Sequence, residues 1–249
     1  MNNQTIKIRL AKYLAMTGLC SRRAATRYIR DGRITLNGRL ANHIDTVMLH
    51  KDINNQIIPS IHEIILFDDK VIPNIETKSY WLFHKAMGTD SRLLKHDPNS
   101  LLHLLPQSPR LYPVGRLDKD SRGLLLLTND GTLTHQLLHP SFAHSKTYQV
   151  QLNKVFDDTF LESMAKGVQY KNITTLPCII NRLTETQFEI VLTQGLNRQI
   201  RRMSQALGYR VVDLKRVSIE SLTLGHLLEG EKRQLTQAEV TKLLSLVSQ

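Results

Sequence analysis

The segment Gly115-Arg116-Leu117-Asp118-Lys119-Asp120-Ser121-Arg122-Gly123 runs straight into Leu124-Leu125-Leu126-Leu127, and it constrains this chain more than any other. Four successive leucines are too apolar to be exposed and read as a buried strand. The loop before them, bounded by two glycines, must then deliver Asp118 to the edge of a core. An acid among arginines is held ionised, because nearby positive charge favours the anion. An ionised carboxylate fixed at a core edge is a candidate nucleophile or base, the equal alternative being a structural ion pair with Arg116 or Arg122. The next acid, Asp120, and Ser121 read as caps of the turn through backbone hydrogen bonds.

The chain has 249 residues, 41% hydrophobic and 22% charged. That is enough for a substantial core and for more than one domain. No window approaches the roughly 18 consecutive apolar residues of a membrane span. The start, Met1 to Thr5, is polar and lacks the apolar segment of an export signal, so a cytoplasmic location is expected. Cys20 and Cys178 stand far apart and suggest neither a disulfide framework nor a zinc site. His135 and His139 have the i, i+4 spacing of zinc proteases, but Gln136 stands where that motif needs its glutamate. No metal is expected.

The net charge is +11, which points to a polyanionic partner. The bases are clustered. Lys7, Arg9, Lys12, Arg22, Arg23, Arg27, Arg30, Arg33 and Arg39 crowd the first 45 residues, against Asp31 and Asp45 alone. A second group comprises Arg198, Arg201, Arg202, Arg210, Lys215 and Arg216, against Asp213.

A segment without periodicity at 71–79, containing Pro73 and Asn74, marks a boundary between a first domain, 1–70, and a second, 80–249. The first domain reads as two short helices and a hairpin. Ser21 is a candidate N-cap and Gly32 a stop. Arg23, Arg27 and Arg30 share one helix face, with Ala25, Tyr28 and Ile29 opposite. Asn37-Gly38 suits a two-residue hairpin turn. Arginines at one-turn spacing, with no glutamates to neutralise them, suit a phosphate backbone. In the second domain strands and helices alternate. Strands are expected at 146–152 and 188–192, and helices at 157–165, after a cap at Asn197, and after the capping box Thr236-Gln237-Ala238-Glu239.

Residues 7–67, with Arg9-Leu10-Ala11-Lys12-Tyr13-Leu14, Cys20-Ser21-Arg22-Arg23 and Leu36-Asn37-Gly38 in order, resemble the S4 RNA-binding domain. The Gly115–Gly123 stretch with its leucines, Lys146-Thr147-Tyr148, and Gln194-Gly195-Leu196-Asn197-Arg198-Gln199-Ile200-Arg201-Arg202-Met203 together resemble the signature of RNA pseudouridine synthases of the RsuA type, which act on ribosomal RNA. The third motif is most similar to the large-subunit members, especially the synthase F group. The resemblance implies an α+β fold: a small S4-like domain, then a catalytic domain with a mixed, largely antiparallel sheet flanked by helices. It implies isomerisation of a uridine in ribosomal RNA, with 23S rRNA favoured and tRNA as the other candidate. It also implies no cofactor, no metal, no membrane and a monomeric protein. By that resemblance Asp118 is the nucleophile, Tyr148 lies against the target base, and Arg201 is salt-bridged to the aspartate. Arg9, Lys12, Arg22, Arg23, Arg27, Arg30, Arg116, Lys146, Arg198 and Arg202 are expected to hold RNA phosphates. The alternative reading is a non-catalytic S4-domain factor for ribosome assembly. The family's Lys-Pro-x-Gly segment here reads Lys85-Ala86-Met87-Gly88, and the missing proline is expected to loosen a turn.

Overall fold

The computed structural model describes residues 6–51, 57–59 and 63–247, so Met1 to Thr5, the polar start, lie outside the described residues. The chain divides into two compact units. The first comprises residues up to Lys78 together with Pro106–Arg110, and the second Ser79–Leu105 and Leu111 onward.

The first unit contains β1 (Ile6–Arg9), α1 (Leu10–Met16), α2 (Arg22–Arg30), β2 (Ile34–Leu36), β3 (Arg39–Leu40), β4 (Thr46–Lys51), β5 (Ile57–Pro59), β6 (Ile65–Phe67) and β7 (Lys70–Val71). Two small sheets form, in the orders β1-β4-β5 and β3-β2-β6-β7. Ser21 Oγ accepts the Ala24 amide and caps α2. Asn37 and Gly38 both take positive φ, as a tight hairpin turn requires. Ala25 and Ile29 turn inward onto Leu10, Tyr13 and Leu14, while Arg22, Arg23, Arg27 and Arg30 face solvent.

The second unit contains β8 (Tyr80–Lys85), β9 (Tyr112–Pro113), β10 (Arg122–Thr128), α3 (Gly131–Leu138), β11 (Lys146–Leu152), α4 (Asp158–Lys166), β12 (Gln169–Tyr170), β13 (Ile173–Thr174), β14 (Ile179–Arg182), β15 (Gln187–Leu192), α5 (Gln199–Ala206), β16 (Val211–Ile219), β17 (Leu222–Thr223), β18 (Lys232–Gln234) and α6 (Gln237–Val247). Its main sheet runs β14-β15-β11-β16-β10-β8-β18, with β9 on β10 and β17 on β16. All its pairings are antiparallel except β10 with β16. The fold is α+β with a mixed, largely antiparallel sheet.

Leu124 to Leu127 are all fully buried because β10 is covered on both faces. Leu124 and Leu126 pack with Leu133 and Leu137 of α3 and Leu243 and Val247 of α6, whereas Leu125 and Leu127 pack with Phe83, Leu101 and Leu111. A separate core gathers Val150, Leu152, Phe160, Met164, Phe188 and Met203 beneath α4 and α5.

One capping expectation fails. The N-cap of α5 is Arg198, in the left-handed region at φ 53°, and it makes no side-chain cap. Asn197 instead accepts a hydrogen bond from Arg202 at 2.8 Å. At the Ala86 turn the chain is hydrogen-bonded to the Asp118 loop. The Gly88 amide donates to the Lys119 carbonyl at 2.7 Å, and the turn closes against the Asp118 loop. Cys20 and Cys178 are free thiols; burial pushes the Cys178 thiol up to about 11.

Candidate active site

The Asp118 loop connects β9 to β10, and backbone hydrogen bonds fix it along its length. The Ser121 amide donates to the Asp118 carbonyl at 3.0 Å, closing the turn. Ser91 Oγ donates to the Leu117 carbonyl and accepts the Leu117 amide. From the far side Lys85, fully buried at the end of β8, donates to the carbonyls of Ser121 at 2.6 Å and Ala86 at 3.0 Å. Burial pushes the Lys85 ammonium down to about 8, against the attraction of Asp120, Asp90, Asp118 and Glu229. A loop held at Leu117, Lys119 and Ser121 leaves Asp118 few alternative positions.

Asp118 and Asp120 meet α5 across this loop. Arg198 spans both: its guanidinium is bidentate to Asp120, at 2.8 and 3.1 Å, and 3.5 Å from Asp118 Oδ2. Arg201, in the first turn of α5, pairs with Asp120 at 3.4 Å and donates to the Asp120 carbonyl at 2.6 Å and the Val211 carbonyl at 3.0 Å. Two sequence expectations are therefore corrected. Among the described residues the ion-pair partner of Asp118 is Arg198, not Arg201. Arg201 lies on the first turn of α5, where its reach ends on the carboxylate and carbonyl of Asp120, whereas Arg198 precedes the helix and extends over both carboxylates. Asp120 is not merely a turn cap: Arg198 first, and Arg201 more weakly, hold its carboxyl below the ordinary range against the effect of burial. The residue that makes this double ion pair, Arg198, takes a left-handed backbone that is costly for a residue with a Cβ.

Asp118, Asp120 and Arg198 line a cavity of about 880 Å³, whose lining does not include Arg201. Its walls include Asp118 and Asp120, Tyr148 and Lys146 of β11, Leu196 to Ile200 before and within α5, and Arg216 of β16. Tyr148 is half-buried and packs on the core that contains Val150, as its strand parity implies. Lys146 donates to the His144 carbonyl at 2.7 Å, which leaves it a partly committed cation in the cavity wall. Arg116 is exposed on the loop, and Arg202 is tied to Asn197.

In the first unit the basic surface is smaller than the sequence count implies. Arg33 pairs with Asp68 and Arg39 with Asp45, so neither is a free cation. Arg30 reaches Asp31 at 3.1 Å, and Arg9 donates to the Ile44 carbonyl. Lys12, Arg22, Arg23 and Arg27 are exposed and, among the described residues, have no carboxylate partner.

Sequence reasoning misses three residues of the site. Lys85 stands out only as part of a segment with a missing proline, and Asp120 reads locally as a turn residue. Arg216 does carry a usable signal: it shares strand parity with the buried Leu214, so its charge points inward.

A carboxylate and a tyrosine in one cationic cavity, in a chain that also carries an arginine-faced helical module, define an enzyme that works on a nucleic acid. The chain belongs to the RNA pseudouridylate synthase family, which it matches over residues 79–206, and residues 8–46 match the S4 domain. It is 36% identical over 242 residues to the dual-specificity RNA pseudouridine synthase RluF of Shigella flexneri, covering 96% of this chain and 79% of that one. It is 31% identical to the ribosomal large subunit pseudouridine synthase B of Bacillus subtilis, covering 96% of each chain. It is also 31% identical to the ribosomal small subunit pseudouridine synthase A of Escherichia coli K12, covering 95% of this chain and 100% of that one. A crystal structure of a pseudouridylate synthase superposes with a TM-score of 0.67 at 30% identity, covering 95% and 99% of the two chains. Among the described residues no helix is long and apolar enough to cross a membrane.

Proposed function

We propose that this protein converts a uridine of ribosomal RNA, with large-subunit rRNA favoured, to pseudouridine, and that Asp118 is its nucleophile. Relatives named as ribosomal pseudouridine synthases align over nearly the whole chain, which supports rRNA as the substrate. The single observation that carries the site assignment is that Asp118, paired with Arg198, lines the same cavity as Tyr148.

A stacked base is out of reach of such a cavity, so the target uridine is extruded or already single-stranded. Unstacking costs a few kcal/mol, which phosphate contacts to exposed arginines offset. An Asp118 oxygen bonds to C1′ as the C1′–N1 bond breaks, and the electron pair of that bond stays on the base. The base turns to present C5, the C5–C1′ bond forms, and Asp118 is released. The C5 proton then leaves with the help of Tyr148, and N1 gains a proton. The balance is an isomerisation: no water is consumed and no electron leaves.

The test is Asp118→Asn, which keeps the size of the side chain and removes its charge. The purified variant should bind rRNA as the wild type does, yet form no pseudouridine when the modified positions are mapped by sequencing. Normal conversion by the variant would overturn the assignment of Asp118. A wild type that modifies no rRNA uridine would overturn the whole reading in favour of a binding factor.

A further inference from the structure

Arg216 is a buried cation without a counter-ion. The residue is 4% exposed, and its guanidinium Nε donates to the Leu124 carbonyl at 2.7 Å. Its Nη2 is sealed from solvent and has no hydrogen-bond partner. Among the described residues no carboxylate lies within ion-pair distance of it. The charged group that feels it is another cation, Lys146, whose ammonium is pushed down first by burial and then by Arg216, with Glu220 opposing. Holding a guanidinium in such a place is costly, and the single hydrogen bond to the Leu124 carbonyl recovers only part of that cost. The side chain lines the cavity that contains Asp118. Its neighbours across the sheet are Tyr148 on one side and Gly123, at the end of the Asp118 loop, on the other. An unmet cation between those two strands points to a negative charge brought by the substrate.

Two negative charges are available. Phosphates are large, strongly hydrated and outside the ring, and exposed guanidinium groups suit them better. The other exists only during reaction. Resting on the function proposed above, the base leaves C1′ with an electron pair, and the charge spreads over N1, O2 and O4. A planar guanidinium with unused N–H groups matches adjacent ring acceptors. We propose that Arg216 is a further catalytic residue, holding the detached uracil anion between cleavage of C1′–N1 and formation of C5–C1′. Its charge is set in place before reaction and is most useful when the base is anionic, so it lowers the barrier more than it tightens binding. When C5 bonds to C1′ the base is neutral again; C5 then loses its proton, N1 gains one, and the product is released.

The experiment uses the full chain and single turnover at saturating rRNA. Arg216→Gln should slow conversion about 100- to 1000-fold, and Arg216→Lys, which keeps the charge but loses the fork, about tenfold. RNA affinity should stay within about twofold, with melting curves confirming the fold of each variant. Fluorine at C5 makes the departing base a weaker base, so with rRNA containing 5-fluorouridine the deficit of Arg216→Gln, followed as loss of that nucleoside, should shrink about tenfold. A purely structural role would slow both substrates equally, and a phosphate role would weaken affinity while sparing the rate; either result overturns the proposal. A second arm needs no variant at Arg216. The wild type should bind RNA carrying 5-nitrouridine at the mapped site about tenfold more tightly above the ionisation of that ring than below it, with uridine RNA as the control. Absence of that tightening overturns the proposal even if the variants fail to fold. Conversion of uridine by the wild type keeps these outcomes separate from failure of the proposed function.

Discussion

Gly123 and Arg216 face each other across the parallel pair of β10 and β16, so closely that a side chain at 123 has nowhere to go. A Cβ there would lie 2.6 Å from the Arg216 amide nitrogen and closer still to its carbonyl oxygen, and the backbone sits at φ +108°. Both obstacles are main chain, so no rotamer change relieves them. Gly123→Ala should destabilise the protein by roughly 3–5 kcal/mol through strain and strand displacement. Denaturant unfolding of the purified variant measures this, and a loss under about 1 kcal/mol would show that the two strands can separate freely.

Asp120 is the anchor of the guanidinium pair, and on the function proposed above the attacking group is Asp118. With Asp120→Asn, Arg201 keeps its bonds to the Asp120 and Val211 carbonyls, while Arg198 loses its bidentate partner and is free to turn fully onto Asp118. Asp118, the proposed nucleophile, would then be held by a closer counter-charge and be less reactive. The expected outcome is a roughly 10- to 100-fold lower turnover at saturating RNA with KM changed less than about threefold. A rise in KM at constant turnover would mean that Asp120 serves RNA binding instead.

The pieces legible in the sequence are those set by local rules. Leu124 to Leu127 announce a buried strand, Ser21 and Asn37-Gly38 announce a cap and a hairpin, and Asp118 falls at the end of a constrained loop. What cannot be read locally is who pairs with whom. Arg198, Arg201, Asp118 and Asp120 come from two segments far apart in the chain. Their partnership depends on the left-handed turn at Arg198, which no periodicity signals. The surplus of bases near the start also misleads, because Asp68 and Asp45 return through the fold to neutralise Arg33 and Arg39.

The exposed arginines of α2 should act by charge count. Substituting Arg23 and Arg27 together by glutamine removes two cations that, among the described residues, have no carboxylate partner, and leaves the buried face of Ala25 and Ile29 untouched. Affinity for rRNA should fall at low salt. The slope of log affinity against log salt should flatten by about 1.4 to 1.8, that is by about 0.7 to 0.9 per lost phosphate contact. The rate at saturating RNA should hold. Filter binding across a salt series measures the slope, and an unchanged slope would remove α2 from the RNA contact surface.

The C-terminal helix carries a pH-dependent clamp. Glu239 accepts Arg233 through both oxygens, at 2.7 and 2.8 Å, and also accepts the Thr236 amide, completing the capping box of α6. Arg233 is the main reason that its carboxyl is pushed down to about 2. A carboxylate whose pKa is lower in the folded than in the unfolded chain stabilises the fold fully above its ordinary value. That contribution drains away as pH falls toward the folded value. Glu239→Gln should therefore cost about 1–2 kcal/mol at pH 7, after allowance for solvent screening of a partly exposed pair. The gap between wild type and variant should stay constant down to about pH 5 and close progressively between about pH 4.5 and 2. Urea unfolding of both proteins across that range tests it. A gap that persists at about pH 2 would mean that packing of Leu243 and Val247, and not the ion pair, is what the substitution disturbs.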